Sequence, residues 1–265
     1  DRHVGFGTVW LSQIKERQAS MVPTVWSGRG INPVAIFQSE QGNPRSYYLG
    51  TKGGYASLSH GSMDAGSFIF ELNGVRWALE LGNQSYHELE ETGFKLWGKD
   101  QDSERWTLLS KNNFGHNTLT INGAHHVVDG AATLIYCKEE PTPEAAFDIS
   151  LPFGDLVTKA TRTFTKDGEA SFVITDSIVE SEKTKMITWQ MLTIAEVEVV
   201  AGGALLKQDS KVLKLQNTSH PEIEVSIVSL YPPPHKLDKQ IDGLKRLEIR
   251  VPGTSVSGTE VELKV

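Results

Sequence analysis

The stretch GSFIFELNGVRWALELG, residues 66–82, decides the fold class. Phe68, Phe70 and Leu72 alternate with Ile69 and Glu71, the period of two that turns one face of a strand toward a core. Asn73-Gly74 then supplies the two positive φ angles of a type I′ turn, and Val75 and Trp77 resume the alternation. The segment reads as a β-hairpin. Just upstream, LSHGSMDAGSF (58–68) sets a histidine, a hydroxyl, a thioether, a carboxylate and two glycines close together. That chemistry fits a metal site, part of a catalytic site, or a polar turn that feeds the strand.

Outward from the hairpin the same pattern repeats. NPVAIFQSE and RSYYLGTK precede it. HNTLTING, AHHVVDGAATLIYCK, LVTKATRTFTK, ASFVITDSIVES, KMITWQMLTI, EVEVVAGG, ALLKQDSKVLKLQN, IEVSIVSLYP, LKRLEIRVPG and TEVELKV follow. Turn signals recur roughly every ten residues, the spacing of a sandwich rather than of βαβ units. Residues 83–112 are polar and irregular and read as a long loop with a helical turn, anchored by Trp97 and Trp106. The one helix signal is WLSQIKERQAS (10–20), ended by Pro23. The expected organisation is a helical or linker segment at 1–25 and a β-sandwich domain at 26–265.

Bulk properties narrow the function. A chain of 265 residues, 38% hydrophobic and 22% charged, is long and apolar enough to bury a core and is not globally disordered. The net charge of −7, with no Lys/Arg run, argues against nucleic acid as a partner. No apolar run approaches the roughly 18–20 residues of a membrane span. The single Cys137 excludes an intramolecular disulfide and reads as core. No signal peptide is visible at Asp1, and the abrupt start DRHVGFGTVW suits a mature chain or one that begins in mid-protein.

His60 and His116 each stand just before a strand, with Asp64 and Glu80 on neighbouring segments. Imidazole and carboxylate together suit zinc or another transition metal, and they equally suit hydrogen-bonded polar groups at the edge of a core. Arg76, Arg105 and Lys52 are candidates to meet an anionic ligand, or are solvated surface. Trp97, Trp106 and Tyr86 are candidates to stack on sugar rings, or to anchor the loop. Alternation points His125 and His126 to opposite faces, so they make a poor chelating pair. Nucleophile-elbow, P-loop and dinucleotide-binding glycine patterns are absent.

KGGYASLSHGSMDAGSFIFELNGVRWALELG (52–82), followed by Arg105-Trp106 and NNFGHNTLTING (112–123), resembles the C-terminal β domain of heparinase II/III-like polysaccharide lyases. The resemblance is strong over 26–130 and continues through ATRTFTKDGEASFVITDSIV (160–179). It implies a large antiparallel β super-sandwich, preceded in the whole enzyme by an incomplete helical toroid. It also implies β-elimination on uronate-containing acidic polysaccharide, and a periplasmic or secreted location. In that reaction the uronate carboxylate is neutralised, a base removes the C5 proton and an acid assists the leaving oxygen.

Under the resemblance His60 takes the first position of an H-x-H-x-D motif and is the catalytic candidate, with Asp64 at its last position. Asp64, Arg76, Arg105 and Trp97 are the substrate-binding candidates. The family's zinc ligands correspond to Ser62, Glu80 and His116. Ser62 stands where a second histidine is expected, and a neutral hydroxyl is a poor zinc ligand beside imidazole. Either zinc or a hydrogen-bond network that joins Ser62, Glu80 and His116 fits this set. Because the toroid's tyrosine and histidine have no counterpart here, the isolated chain is expected to show little or no lyase activity. A non-catalytic carbohydrate-binding or scaffolding module is the rival reading. A third, a sandwich enzyme of the epimerase or mutarotase kind, lacks an identifiable acid/base pair.

Overall fold

The computed structural model describes residues 8–9, 12–13, 22–43 and 46–265. The helix expected at 10–20 falls largely outside the described residues, and the first strand begins at Val25. The chain is all-β, as expected, but it is not one large super-sandwich. Four small antiparallel sheets surround a shared core, closer to a propeller-like ring.

The first sheet runs in chain order through β1 (Val25–Gly28), β2 (Val34–Gln38), β3 (Tyr48–Lys52), β4 (Phe68–Leu72) and β5 (Val75–Ala78). The second has the order β17 (Glu260–Lys264), β10 (Ser171–Glu180), β9 (Val157–Asp167), β8 (Glu144–Asp148), β7 (Thr133–Lys138). The third is β15 (Ser226–Ser229), β16 (Lys245–Pro252), β11 (Met186–Thr193), β6 (Leu119–Ile121). The fourth joins β12 (Glu196–Val200), β13 (Gly203–Gln208) and β14 (Lys211–Gln216). Among the described residues no helix is long and apolar enough to cross a membrane.

The opening hairpin forms as its turn chemistry requires: Asn73 and Gly74 have φ of 55° and 76°, and Leu72 pairs with Val75. Phe68, Phe70 and Leu72 face the core, which also takes Phe147 and Phe164 from the second sheet, Trp189 and Leu247 from the third and Leu206 from the fourth. Each fully buried side chain of this size contributes about 1.5–3 kcal/mol. β8 was not expected, because PTPEAAFDIS is rich in proline and alanine, which favour strands little. It nevertheless lies between β7 and β9, where small Ala145 and Ala146 and bulky Phe147 are buried.

Two buried polar side chains hold irregular segments in register. Arg162 on β9 and Asp176 on β10 form a bidentate pair, 2.7 and 2.8 Å, with both side chains fully buried. Burial pushes the Asp176 carboxyl up, against the lowering effect of Arg162. Arg162 Nη1 also donates to the carbonyls of Gly66 and Asn117, which ties the second sheet to both histidine segments. Losing one partner of such a pair costs about 3–5 kcal/mol. Asn117 Nδ2 donates to Phe68 O and Leu79 O, while its Oδ1 accepts from Leu192 N. One amide thereby joins β4, the residue after β5, and β11, which belong to two different sheets.

Candidate functional site

The loop between β3 and β4 carries the H-G-S-M-D segment. Met63 is 1% exposed and packs with Ala56, Trp106 and Val128, and its amide donates to Lys111 O at 2.8 Å. Gly61 donates to Leu58 O, and a Cβ at Gly61 would lie 2.5 Å from Ala56 O, so only glycine fits. The tight turn leaves His60 at φ 61°, a left-handed conformation that histidine tolerates better than most residues. The His60 side chain is therefore presented to solvent from a fixed backbone.

The segment expected as a loop at 83–112 builds the opposite wall. α1 (Tyr86–Glu91) starts at Ser85, whose side chain accepts from Glu88 N, and it buries Leu89. His60 Nδ1 lies 3.1 Å from Tyr86 Oη, and the two rings stack at 5.4 Å with an interplanar angle of 5°. Trp97 meets both edge-on, at 5.6 Å from His60 and 5.3 Å from Tyr86. Its indole Nε1 donates to Glu90 Oε1 at 2.6 Å. Trp97 is 49% exposed, so it forms part of this aromatic wall and is not a buried loop anchor. Trp106, 1% exposed, is the anchor.

Cations lie behind the wall. Arg105, in the 3-10 turn Glu104–Thr107, is buried, stacks on Trp106 at 4.5 Å and donates from Nη2 to Gly61 O at 2.6 Å. Its guanidinium thus braces the His60 turn. Lys111 is 3% exposed, and its Nζ lies 5.4 Å from the Tyr86 ring centre. Asp64 is ion-paired with Lys52. Arg76, on β5, pairs with Glu71 across the hairpin and has no contact with the His60 group. The structure thus gathers His60, Trp97 and Arg105 with Tyr86 and Lys111, pairs Asp64 with Lys52, and leaves Arg76 apart.

The second histidine sits in a different environment. His116 is 6% exposed, and its Nδ1 is bonded to Glu80 Oε2. Asn117 N donates to Glu80 Oε1 at 2.9 Å. Burial lowers the basicity of His116, but the Glu80 charge and hydrogen bond outweigh it and hold its pKa above the ordinary value. His116 Nε2 is buried without a partner. Ser62 Oγ instead donates to Ser110 O at 3.1 Å, so the expected three-residue network reduces to His116, Glu80 and the Asn117 amide. A zinc ion needs three or four protein donors. Among the described residues no group of three His, Cys, Asp or Glu side chains converges, and both Glu80 oxygens are engaged. The residues present do not fit that ion.

His125 is exposed and His126 is buried, so they face apart as expected, although neither lies in a strand. His126 Nε2 meets Leu119 O at 2.9 Å while Nδ1 has no partner, the arrangement of a neutral ring that donates from Nε2. Burial pushes its pKa down to about 4.

Residues 35–233 match the family described as heparinase II/III-like, C-terminal. No curated protein sequence matches the chain. Among solved structures the chain is similar to a mutant of the heparan sulfate lyase HepC from Pedobacter heparinus. The TM-score is 0.63, with 12% identity over 92% of this chain and 36% of that one. It is also similar to heparinase III, with a TM-score of 0.63 and 14% identity over 94% of this chain and 37% of that one. At these identities the likeness concerns the fold, and the chain spans little more than a third of either protein's length. The sequence match covers most of the chain, which belongs to the heparinase II/III-like, C-terminal family.

Proposed function

We propose that this domain forms one wall of the cleft of a polysaccharide lyase that cleaves uronate-containing acidic polysaccharide by β-elimination. The observation that carries the reading is His60: an exposed imidazole on a braced turn, bonded through Nδ1 to Tyr86 and flanked by Trp97. With Nδ1 occupied, Nε2 remains for substrate, and His60 exchanges a proton with the sugar at the reacting carbons. The exposed face of Trp97 suits the apolar face of a sugar ring, and the cations behind the wall favour an anionic chain. A helical domain of the same protein supplies the remaining catalytic groups and the other side of the cleft, so the isolated domain turns over little or no substrate. The family resemblance supports a periplasmic or secreted location.

The test is the formation of unsaturated uronate by the full-length protein, followed by ultraviolet absorbance. His60→Ala is expected to lower turnover by about a hundredfold or more, with folding intact. Glycan binding without unsaturated product in the wild type sinks the lyase reading and leaves the non-catalytic carbohydrate-binding module.

A further inference from the structure

The geometry points to Lys111 as the anion-binding residue of this face: its ammonium takes an oxyanion of the sugar chain, a uronate carboxylate or a sulfate ester. This rests on the reading of the face as a glycan cleft. Lysine is almost never buried unless it is paired, yet Lys111 is 3% exposed and makes no ion pair among the described residues. The nearby carboxylate, Asp64, is engaged by Lys52 and reaches Lys111 only through space. Arg105, a charge of like sign, is buried too and disfavours the ammonium. What Lys111 does have is the face of the Tyr86 ring at 5.4 Å, a partial compensation of the cation–π kind.

The backbone leaves Lys111 little freedom to escape this position. Its N–H donates to Leu108 O at 3.0 Å, and its carbonyl accepts from Met63 N at 2.8 Å. The ring that the Lys111 ammonium faces is the one that holds His60, which places the charge beside the exposed imidazole. Burial, with Arg105 second, lowers its pKa, so the charge is held at a cost in the empty cleft. An incoming oxyanion removes that cost and gains a charge-assisted hydrogen bond in a partly desolvated position. Arg76, exposed and already satisfied by Glu71, offers no such gain.

The experiment measures binding of three oligosaccharides to the full-length protein: an unsulfated uronate-containing tetrasaccharide, its O-sulfated counterpart and its carboxyl-reduced form. Lys111→Met is expected to weaken binding of the acidic probes about tenfold or more, and to leave the melting temperature unchanged or raise it. A lysine that serves only structure would instead lower the melting temperature and leave affinity intact. Arg76→Gln is the control and binds as wild type. Loss with the unsulfated probe identifies the carboxylate, and loss confined to the sulfated probe identifies the sulfate ester. Wild-type affinity in Lys111→Met overturns the assignment. So does equal binding of all three probes by the unmodified protein, a result that needs no variant. Binding without turnover counts against the lyase reading alone, because the Lys111 arm is read from affinity.

Discussion

His60 and His116 lie on segments that Arg162 ties together, yet they occupy opposite environments. His60 is exposed, held by rings and a phenol, with no carboxylate bonded to it. His116 is buried, and Glu80 is hydrogen-bonded to its Nδ1. The first arrangement fixes direction and leaves one nitrogen for a ligand. The second ties Nδ1 to the fold and leaves Nε2 sealed from solvent without a partner. Residue type and position before a strand are shared, so solvation and the partner group, more than the residue itself, separate an exposed histidine from a buried one.

Exchanging the two roles is the strongest way to break this contrast. His60→Ala, expected to remove about a hundredfold or more of turnover, should shift stability by no more than about 0.5 kcal/mol in denaturant unfolding, as an exposed side chain does. Glu80→Ala should do the reverse. It leaves His116 buried without its carboxylate and should lower stability by about 3 kcal/mol, while the proteins that remain folded still bind glycan. A comparable stability loss from both variants would erase the distinction.

A third histidine sharpens it through pH. His126 has a folded-state pKa of about 4, below the ordinary histidine value near 6.5. The unfolded chain therefore binds the proton more readily. His126 contributes fully above about pH 6.5, and its contribution is lost as pH falls toward 4. The loss amounts to about 3 kcal/mol when complete. Unfolding curves across that window should be less acid-sensitive in His126→Leu than in the wild type, and equal sensitivity would count against a neutral buried ring. The smallest expected effect is at the rim. Trp97→Ala should weaken oligosaccharide binding by about 1 kcal/mol in titration calorimetry, and it should leave the unfolding midpoint nearly unchanged, because Trp97 is half exposed.

What the sequence discloses follows from how local its causes are. The turn at Asn73-Gly74 needs two positive φ angles in adjacent residues, a requirement written into those two residues, and it is legible. Sheet membership is not. β17 pairs with β10 rather than with its neighbour β16, and alternation along a strand says nothing about which partner it takes. That is why a string of correctly read strands suggested two continuous layers where four small sheets form. His60 stands out in the sequence only through its motif. Tyr86 was weighed as a ring that could stack on sugar, and its bond to His60 appears only when α1 folds back over the loop. Lys111 gave no signal at all. In SKNNFG it looks like one more polar loop residue, and its contacts with the Tyr86 ring and the Met63 amide come from 25 or more positions away in the chain. The Ser62 hydroxyl turns to Ser110 rather than to Glu80, a choice of partner that its position in the sequence does not reveal.

The braces of the His60 turn have a consequence for folding. Gly61 is held by Arg105, 44 positions away; Ser62 bonds to Ser110, 48 away; Gly66 is held by Arg162, 96 away. Such contacts reward the chain only after long loops have closed, so they belong among the late events of folding. A nascent or partly unfolded chain would expose the His60 motif with no geometry to go with it. The recognition face should thus appear in the same step as the native state, and glycan binding should report folding of the whole domain rather than of any hairpin within it.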